Sequence, residues 1–349
     1  MSFNFSFLKK ISETPGVSGF ESEMRQLLIK ELSGLADSFE IDNLGNLIFF
    51  RKGTSDKKVM VAAHMDEIGF IVRHIDDQGF IRFLPLGGFD PKTLTAQRVV
   101  IHGKKPVIGV TGSKPVHLMK TEEKSKVVEM ESYFIDTGMK KEELEKYIEV
   151  GNPISRYQEL IELGDCVNGK SLDNRISVFI LAEVLQQLKG QVLPFDLYMV
   201  FTVQEELGLR GAQTATLGIN PDFAIAVDTT IAYDVPGAAS YETISKIGEG
   251  IAIKIMDGSV VSDARMIDFM KTTADKHGIQ WQPELLPAGG TDTAYLQRMT
   301  GFGSVAGALS VPTRHIHQVV ESCHKEDVAA GISLLTACIL EMGSYSWKY

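Results

Sequence analysis

A chain of 349 residues exceeds what one hydrophobic core usually holds, so two domains are expected. Hydrophobic residues make up 44% and the mean hydropathy is +0.01, the balance of a soluble globular protein with no apolar run of membrane-spanning length. The formal charge of -10 argues against nucleic acid or an anionic membrane as partner. Cys166, Cys323 and Cys338 share no metal-type spacing, which fits a reducing cytoplasm, and the N-terminus lacks the pattern of a secretory signal.

Residues 3–12 read as a short amphipathic helix, broken at Pro15-Gly16-Val17. Ser18 and Glu21 have capping-box spacing ahead of a helix to about Leu35, with Met24, Leu27, Leu28 and Leu32 apolar. Residues 39–41 and 47–51 read as strands joined by an Asn43-Leu44-Gly45-Asn46 turn. Val59-Met60-Val61-Ala62-Ala63 is an apolar strand of the kind buried on both faces, ending at His64-Met65-Asp66-Glu67. From Gly69 to Gly164 the texture changes to short strands and turns, with candidates at 70–75, 80–84, 99–102 and 107–111 and a charged helix at 140–148. Residues 69–164 are therefore expected to form a small β domain inserted into an α/β domain made of 1–68 and 165–349.

The α/β pattern resumes at Asp173. It continues with a helix at 177–188, a strand at 197–203, and a strand at 223–227 that ends at Asp228. A strand at 251–256, a helix capped by Ser262, a Gly289-Gly290-Thr291-Asp292 turn into a helix, a strand at 305–309 and a closing helix from Lys325 complete it. This alternation implies an α/β fold with a mostly parallel or mixed sheet flanked by helices.

Sheets of this kind carry ligand sites at the carboxyl ends of their strands. His64 follows one apolar strand, Glu205 and Glu206 a second, and Asp228 a third. His317 lies a few residues past a fourth, and Asp173 opens a helix between them. Taken singly, an Asp at a helix start is usually a cap, and a His after a strand is usually hydrogen-bonded structure. So many imidazoles and carboxylates at one end of one sheet point instead to metal. The mixture favours Zn²⁺, with Co²⁺ or Mn²⁺ as alternatives, and a bridging carboxylate can hold two such ions roughly 3.5–4 Å apart. A pair of that kind polarises a carbonyl, activates water at neutral pH and can hold a free amine. One of the adjacent glutamates can bind metal while the other serves as general base. Asp66 is placed to accept the His64 N–H and fix the ring.

With these residues in hand, the sequence resembles the tetrahedral aminopeptidases, dinuclear zinc exopeptidases that include bacterial glutamyl aminopeptidases. The matching stretches are Ala63-His64-Met65-Asp66-Glu67-Ile68-Gly69-Phe70, Lys170-Ser171-Leu172-Asp173-Asn174-Arg175, and Val203-Gln204-Glu205-Glu206-Leu207-Gly208-Leu209-Arg210-Gly211-Ala212. Ala226-Val227-Asp228, Gly289-Gly290-Thr291-Asp292 and Arg314-His315-Ile316-His317 follow in the same order. The resemblance covers nearly the whole chain. It implies that Asp173 bridges two ions, that His64 and Asp228 complete one position, and that Glu206 and His317 complete the other. It makes Glu205 the general base and Asp66 the support of His64. It also implies a zinc-exopeptidase-like fold whose inserted domain is a small β-barrel used for dimerisation, with dimers assembling into a dodecamer that admits short peptides. An acidic, glutamyl preference is one that the resemblance admits.

Two departures stand out. His315 occupies a position where the family commonly has Tyr, so His315 and His317 are both candidate ligands, with His317 at the family's position. Asp292-Thr293-Ala294-Tyr295 has larger residues than the family usually shows, so Thr293 and Tyr295 are expected to reshape the side-chain pocket. Asp292 reads equally as a substrate contact or a helix cap. The rival readings are a deacylase, carboxypeptidase or dipeptidase on a similar metal core, an endoglucanase-type glycosidase, and a non-enzymatic scaffold. The insert lies between His64 and Asp173, which favours the aminopeptidase over the first. A glycosidase needs two carboxyls roughly 5–9.5 Å apart and leaves both histidines, Asp173 and Asp228 without work. The intact ligand set speaks against a scaffold.

Overall fold

The computed structural model describes residues 3–348. Helices α1 (Phe5–Glu13) and α2 (Ser22–Leu32) precede strands β1 (Ser38–Ile41), β2 (Leu47–Arg51) and β3 (Lys58–His64). Six strands then close into a barrel: β4 (Gly69–Ile75), β5 (Ile81–Leu86), β6 (Arg98–His102), β7 (Pro106–Gly112), β8 (Phe134–Asp136) and β9 (Pro153–Arg156). Two short helices, α3 (Thr121–Lys124) and α4 (Lys141–Leu144), lie among them. The chain continues through β10 (Ile161–Leu163), β11 (Cys166–Gly169), α5 (Leu172–Gln187), β12 (Asp196–Thr202), α6 (Arg210–Ile219) and β13 (Phe223–Ile231). It ends with β14 (Ile251–Met256), α7 (Ala264–His277), β15 (Trp281–Leu285), α8 (Thr293–Arg298), β16 (Val305–Arg314), β17 (Glu321–His324) and α9 (Lys325–Glu341).

The large sheet runs β1-β2-β12-β3-β13-β16-β17-β11-β10, with β14 paired to β16 and β15 to β14. Its centre, β12-β3-β13-β16, is parallel, and the pairs outside that centre are antiparallel except for β14 with β15, which is parallel. The sheet is therefore mixed. Successive strand residues point to opposite faces, and both faces are covered here. Val59, Val61, Ile225, Leu309 and Val311 pack into one core with α1, α2, α5, α7 and α9. Met60, Ala62, Ala224, Ala226, Ala306 and Ala308 face α6 and α8. The run of alanines lets those two helices approach closely, and enlarging one of them would cost about 1–3 kcal/mol in overpacking. The barrel has its own core, including Phe70, Ile81, Val99, Ile101, Ile135 and Ile154.

Several expectations needed adjustment. β8 and β9 were not anticipated as strands; they are three and four residues long, too short for a period-2 pattern. Residues 161–163 pair with β11 in the large sheet. Of the charged stretch 140–148, α4 covers only Lys141–Leu144. Asp263 rather than Ser262 caps α7, accepting from the Arg265 amide. Lys325–Ser344 is long and apolar enough by composition to cross a membrane, contrary to the first reading. Half of its most apolar window is buried, with Val328, Leu334, Leu335 and Ile339 in the main core.

Candidate metal centre

The register of the central strands gathers the candidate ligands. Thr202 of β12 lies opposite His64 of β3, so Glu205 and Glu206 leave β12 beside the end of β3. Asp228 lies within β13 rather than past its end. Pairing of β13 with β3 stops at Ala226 opposite Ala62, and the same register carried on two residues sets Asp228 level with His64. Beyond that point β16 is the strand that pairs with β13, with Asp228 opposite Ser310.

The other contributors sit in irregular backbone. Asp173 and Asn174 open α5 with non-helical angles, and the peptide between them is cis. The Asn174 side-chain Nδ2 donates to the Val227 carbonyl at 2.9 Å, tying this segment to the strand that carries Asp228. Glu205 and Glu206 occupy a single 3₁₀ turn entered through Gln204 at φ 51°. His315 and His317 have φ 62° and 64°, so their loop is not extended and the two rings need not point the same way. Left-handed backbone at non-glycine residues costs on the order of 1–3 kcal/mol each and concentrates at functional sites.

Asp173 stands between two groups. Its Oδ1 lies 3.3 Å from His64 Nε2, which is 3.6 Å from Asp228 Oδ1. Its Oδ2 lies 3.2 Å from His317 Nε2, which is 3.3 Å from Glu206 Oε1. Glu205 Oε2 is further off, 3.9 Å from His64 Nε2. His64 with Asp173 and Glu206, and His64 with Glu205 and Asp228, are the two donor groupings close enough to hold an ion among the described residues. Neither His315 nor His317 joins these groupings; His315 is exposed, whereas His317 Nε2 faces Asp173 and Glu206.

These separations fit a cation. Ligands about 2.0–2.1 Å from a tetrahedral ion are roughly 3.3–3.4 Å from each other. Glu206 Oε1 is buried without a hydrogen-bond partner. Burial pushes the carboxyls of Glu205, Glu206 and Asp228 above their ordinary range. Burial opposes charge on Asp173 too, but the two imidazoles outweigh it and hold that carboxyl low. Burial likewise disfavours charged imidazoles, yet the surrounding carboxylates raise His64 well above its usual value and His317 to about 11. Without a cation the cluster is thus a crowd of acids that holds protons to limit its own repulsion.

A layer of hydrogen bonds lies behind these residues. Asp66 is fully buried; its Oδ1 accepts from the Glu205 amide at 3.0 Å and lies 3.4 Å from His64 Nδ1. Its Oδ2 accepts from the Ser18 hydroxyl at 2.6 Å and from the Glu206 amide at 3.3 Å. Burial works against the Asp66 charge, but His64 and these donors keep its carboxyl below the usual range. Ser18 and Glu21 therefore do not form the expected capping box. Glu21 accepts from the Gly19 and Gln204 amides instead, at 2.7 and 3.2 Å. Glu321, which sequence reading passed over, accepts from the Asp173 amide and the His317 amide, each at 2.9 Å. Glu67, also passed over, pairs with Lys170 at 2.6 Å in full burial.

A cleft of about 1140 Å³ opens over the cluster. Gly88, Phe89 and Asp90, from the loop after β5, form one wall, and Leu209, Ile231, Leu286 and Ile316 form apolar parts of the others. A Cβ on Gly87 would meet Ile68 at 2.4 Å, and its φ of 102° suits glycine, so the loop can pass this close only with glycine there. Thr293 and Tyr295 do not line the cleft: Thr293 is fully buried and bonds to Thr291 of the lining, and Tyr295 packs against the alanine face. Asp292 is neither a side-chain cap nor part of the cleft lining; it accepts from the Thr202 hydroxyl at 2.5 Å.

A helix-flanked mixed sheet with a closed barrel in the same chain is an architecture shared with solved peptidase structures. The peptidase TET1 of Pyrococcus horikoshii, described as able to assemble into a tetrahedron or a large octahedral shell, has this architecture. It superimposes with a TM-score of 0.87 at 31% identity, over 97% of this chain and 99% of that one. Residues 45–334 match the sequence model of the M42 glutamyl aminopeptidases, and the chain belongs to that family. A putative aminopeptidase of Acetivibrio thermocellus is 38% identical over 96% of this chain and 98% of its own. A lysyl aminopeptidase of Pyrococcus furiosus is 34% identical over 97% of both chains.

Proposed function

We propose that this aminopeptidase is metal-dependent, with two divalent ions per subunit that remove N-terminal residues from short peptides. Zn²⁺ suits the mixed imidazole and carboxylate donors best, with Co²⁺ or Mn²⁺ as alternatives. In this reading Asp173 would be shared between the ions, His64 and Asp228 would hold one, and Glu206 and His317 would hold the other. The observation that carries it is the placement of Asp173, whose two oxygens face two different histidines at 3.3 and 3.2 Å. When bound, the ions would polarise the scissile carbonyl, lower the pKa of a water and hold the free α-amine.

Glu205 is the general base. Its Oε2 lies 3.9 Å from His64 Nε2, in the same grouping as Asp228 but further from the ring than Asp173 or Asp228, and the Asp66 bond to its amide fixes its turn. Burial strengthens its hold on a proton, so its carboxylate, once ionised beside the bound ions, would take the water proton and hand it to the departing amine. Asp66 orients His64 from behind.

The acidic preference in the family's description would call for an uncompensated cation in the cleft. Lys254 lines it but pairs with Glu284 at 2.5 Å and Asp257 at 3.3 Å. Arg314 lines it too and forms two bonds to Asp234, at 2.6 and 2.8 Å. The apolar walls support a neutral first residue over an acidic one. Leu84, Ile108, Val110, Val116 and Leu118 are exposed on the barrel segment. They support a barrel-mediated dimer, and the likeness to TET1 supports a dodecamer built from it. Three unpaired cysteines fit a reducing cytoplasm.

The test is hydrolysis of a panel of amino-acid p-nitroanilides by metal-free and reloaded protein, with N-acetylated substrates and Glu205→Gln alongside. Metal-dependent release from free-amine substrates only, fastest for Leu or Met and lost in the variant, is expected. Equal rates without metal would sink the reading and reopen the glycosidase alternative. Release from acylated substrates alone would point to a deacylase.

A further inference from the structure

We propose that Glu321 is a positioning residue that sets the spacing of Asp173 and His317, and that Arg156 of the barrel holds it in place. The proposal rests on the reading of those two residues as ligands.

Neither Asp173 nor His317 is fixed by regular backbone pairing. Asp173 has φ -77° and ψ 106° at the irregular start of α5, and His317 has φ 64° in a turn between two strands. They are far apart in the chain, and one fully buried carboxylate spans them. Glu321 Oε2 takes the Asp173 amide and Oε1 takes the His317 amide, each at 2.9 Å. Glu321 itself is anchored by the ladder, opposite Gly169 of β11. A rigid strand thus sets the distance between two ligands that sit on turns. Asp66 does the same for the other turn, taking the amides of Glu205 and Glu206. Asp66 also lies against the first imidazole, whereas Glu321 touches its ligands through backbone alone.

The chemistry requires a carboxylate. Two amide donors converge, one on each oxygen. A glutamine offers one oxygen, and its NH₂ would face an N–H, so one of the two bonds must be lost. An alanine would leave two amide donors without their partner, at a destabilising cost for each that is buried. A buried carboxylate also needs a counter-charge. Arg156 Nη2, 3.8 Å from Glu321 Oε1, is that charge, and both side chains are almost wholly buried. Arg156 ends β9, so the counter-charge comes from the barrel rather than from the large sheet. Partners behind a ligand commonly govern metal affinity by about 10–100-fold.

The experiment measures zinc stoichiometry and stepwise affinity by competition with a chromophoric chelator, on wild type and Glu321→Gln. The variant is expected to keep one tight ion and to bind the second about 10–100-fold more weakly. Its kcat should return toward wild type at saturating zinc, which a general loss of structure would not allow. A Glu321→Gln protein that binds both ions as tightly as wild type overturns the proposal. Wild type that binds no ion would instead sink the metal reading. A second measurement avoids the variant altogether. Amide hydrogen exchange on metal-free wild type should show Asp173 and His317 already protected, since Glu321 holds them before metal arrives. Free exchange at both amides in that state overturns the proposal even if the variant fails to fold.

Discussion

The two halves of the candidate centre are built by different means. His64 and Asp228 lie on neighbouring parallel strands, two residues past the last paired positions, so the register of the ladder beneath them sets their spacing. Glu206 and His317 lie on turns with left-handed entries, and buried carboxylates behind them bond to their amides. One half takes its geometry from the fold, the other from side chains that bond to backbone. The first should keep its shape without metal. The second should depend more on its supports.

The largest effect should come from the residue that joins the halves. Asp173→Asn is expected to lower kcat/KM by about 10³-fold or more and to abolish paired ion binding, measured by metal analysis beside kinetics. Retention of two tight ions would break the comparison at its centre. His317→Ala should come next, weakening one ion and leaving the other. His315→Ala should leave both ions and kcat/KM close to wild type. If the order of these two were reversed, the second half would have been assigned to the wrong ring.

A pH experiment sharpens the contrast. In the metal-free protein the His317 value of about 11 means that its ring carries a proton at neutral pH. Loading must expel that proton, so zinc affinity should fall as pH falls, and binding near pH 7 should release protons. Calorimetry in buffers of different ionisation enthalpy reads the release directly. No net release would show that the carboxylates do not protonate the ring.

The smallest effect concerns Glu21, behind the Glu205 turn. Burial, then the nearby Asp66 charge, raises its carboxyl from 4.5 to about 7. Its folded value lies above its unfolded one, so its contribution is fully present below about 4.5 and is lost as pH rises through 7. Glu21→Gln keeps an oxygen for the two amides and removes the titration. It should flatten stability between pH 5 and 8, with a gain at the upper end on the order of 2 kcal/mol, read by urea denaturation of metal-free protein. An unchanged slope would mean that Glu21 stays solvated.

What the sequence disclosed follows the same division. The central strands were legible because each is a short apolar run, and the candidate ligands stood out as polar residues at their ends. Even there the end of β13 was misplaced, because Asp228-Thr229-Thr230 looks polar yet remains paired to β16. The supports were not legible. Ser18 and Glu21 matched a local capping pattern, while their real partners, Asp66 and Gln204, lie far along the chain. Glu321 had no pattern at all, since its meaning lies in two distant amides. The only available signal was a lone carboxylate in an otherwise uncharged run, Val319-Val320-Glu321-Ser322-Cys323.

The loop from Gly87 to Asp90 belongs to the barrel and yet walls the cleft. Its consequence is one of heredity. An exchange of the barrel segment between related genes would transfer a piece of the substrate's surroundings together with whatever surface the barrel offers to other subunits. Lineages that drifted in how they assemble would then have drifted in diet as well, and a chimaera built to alter one trait should be assayed for both.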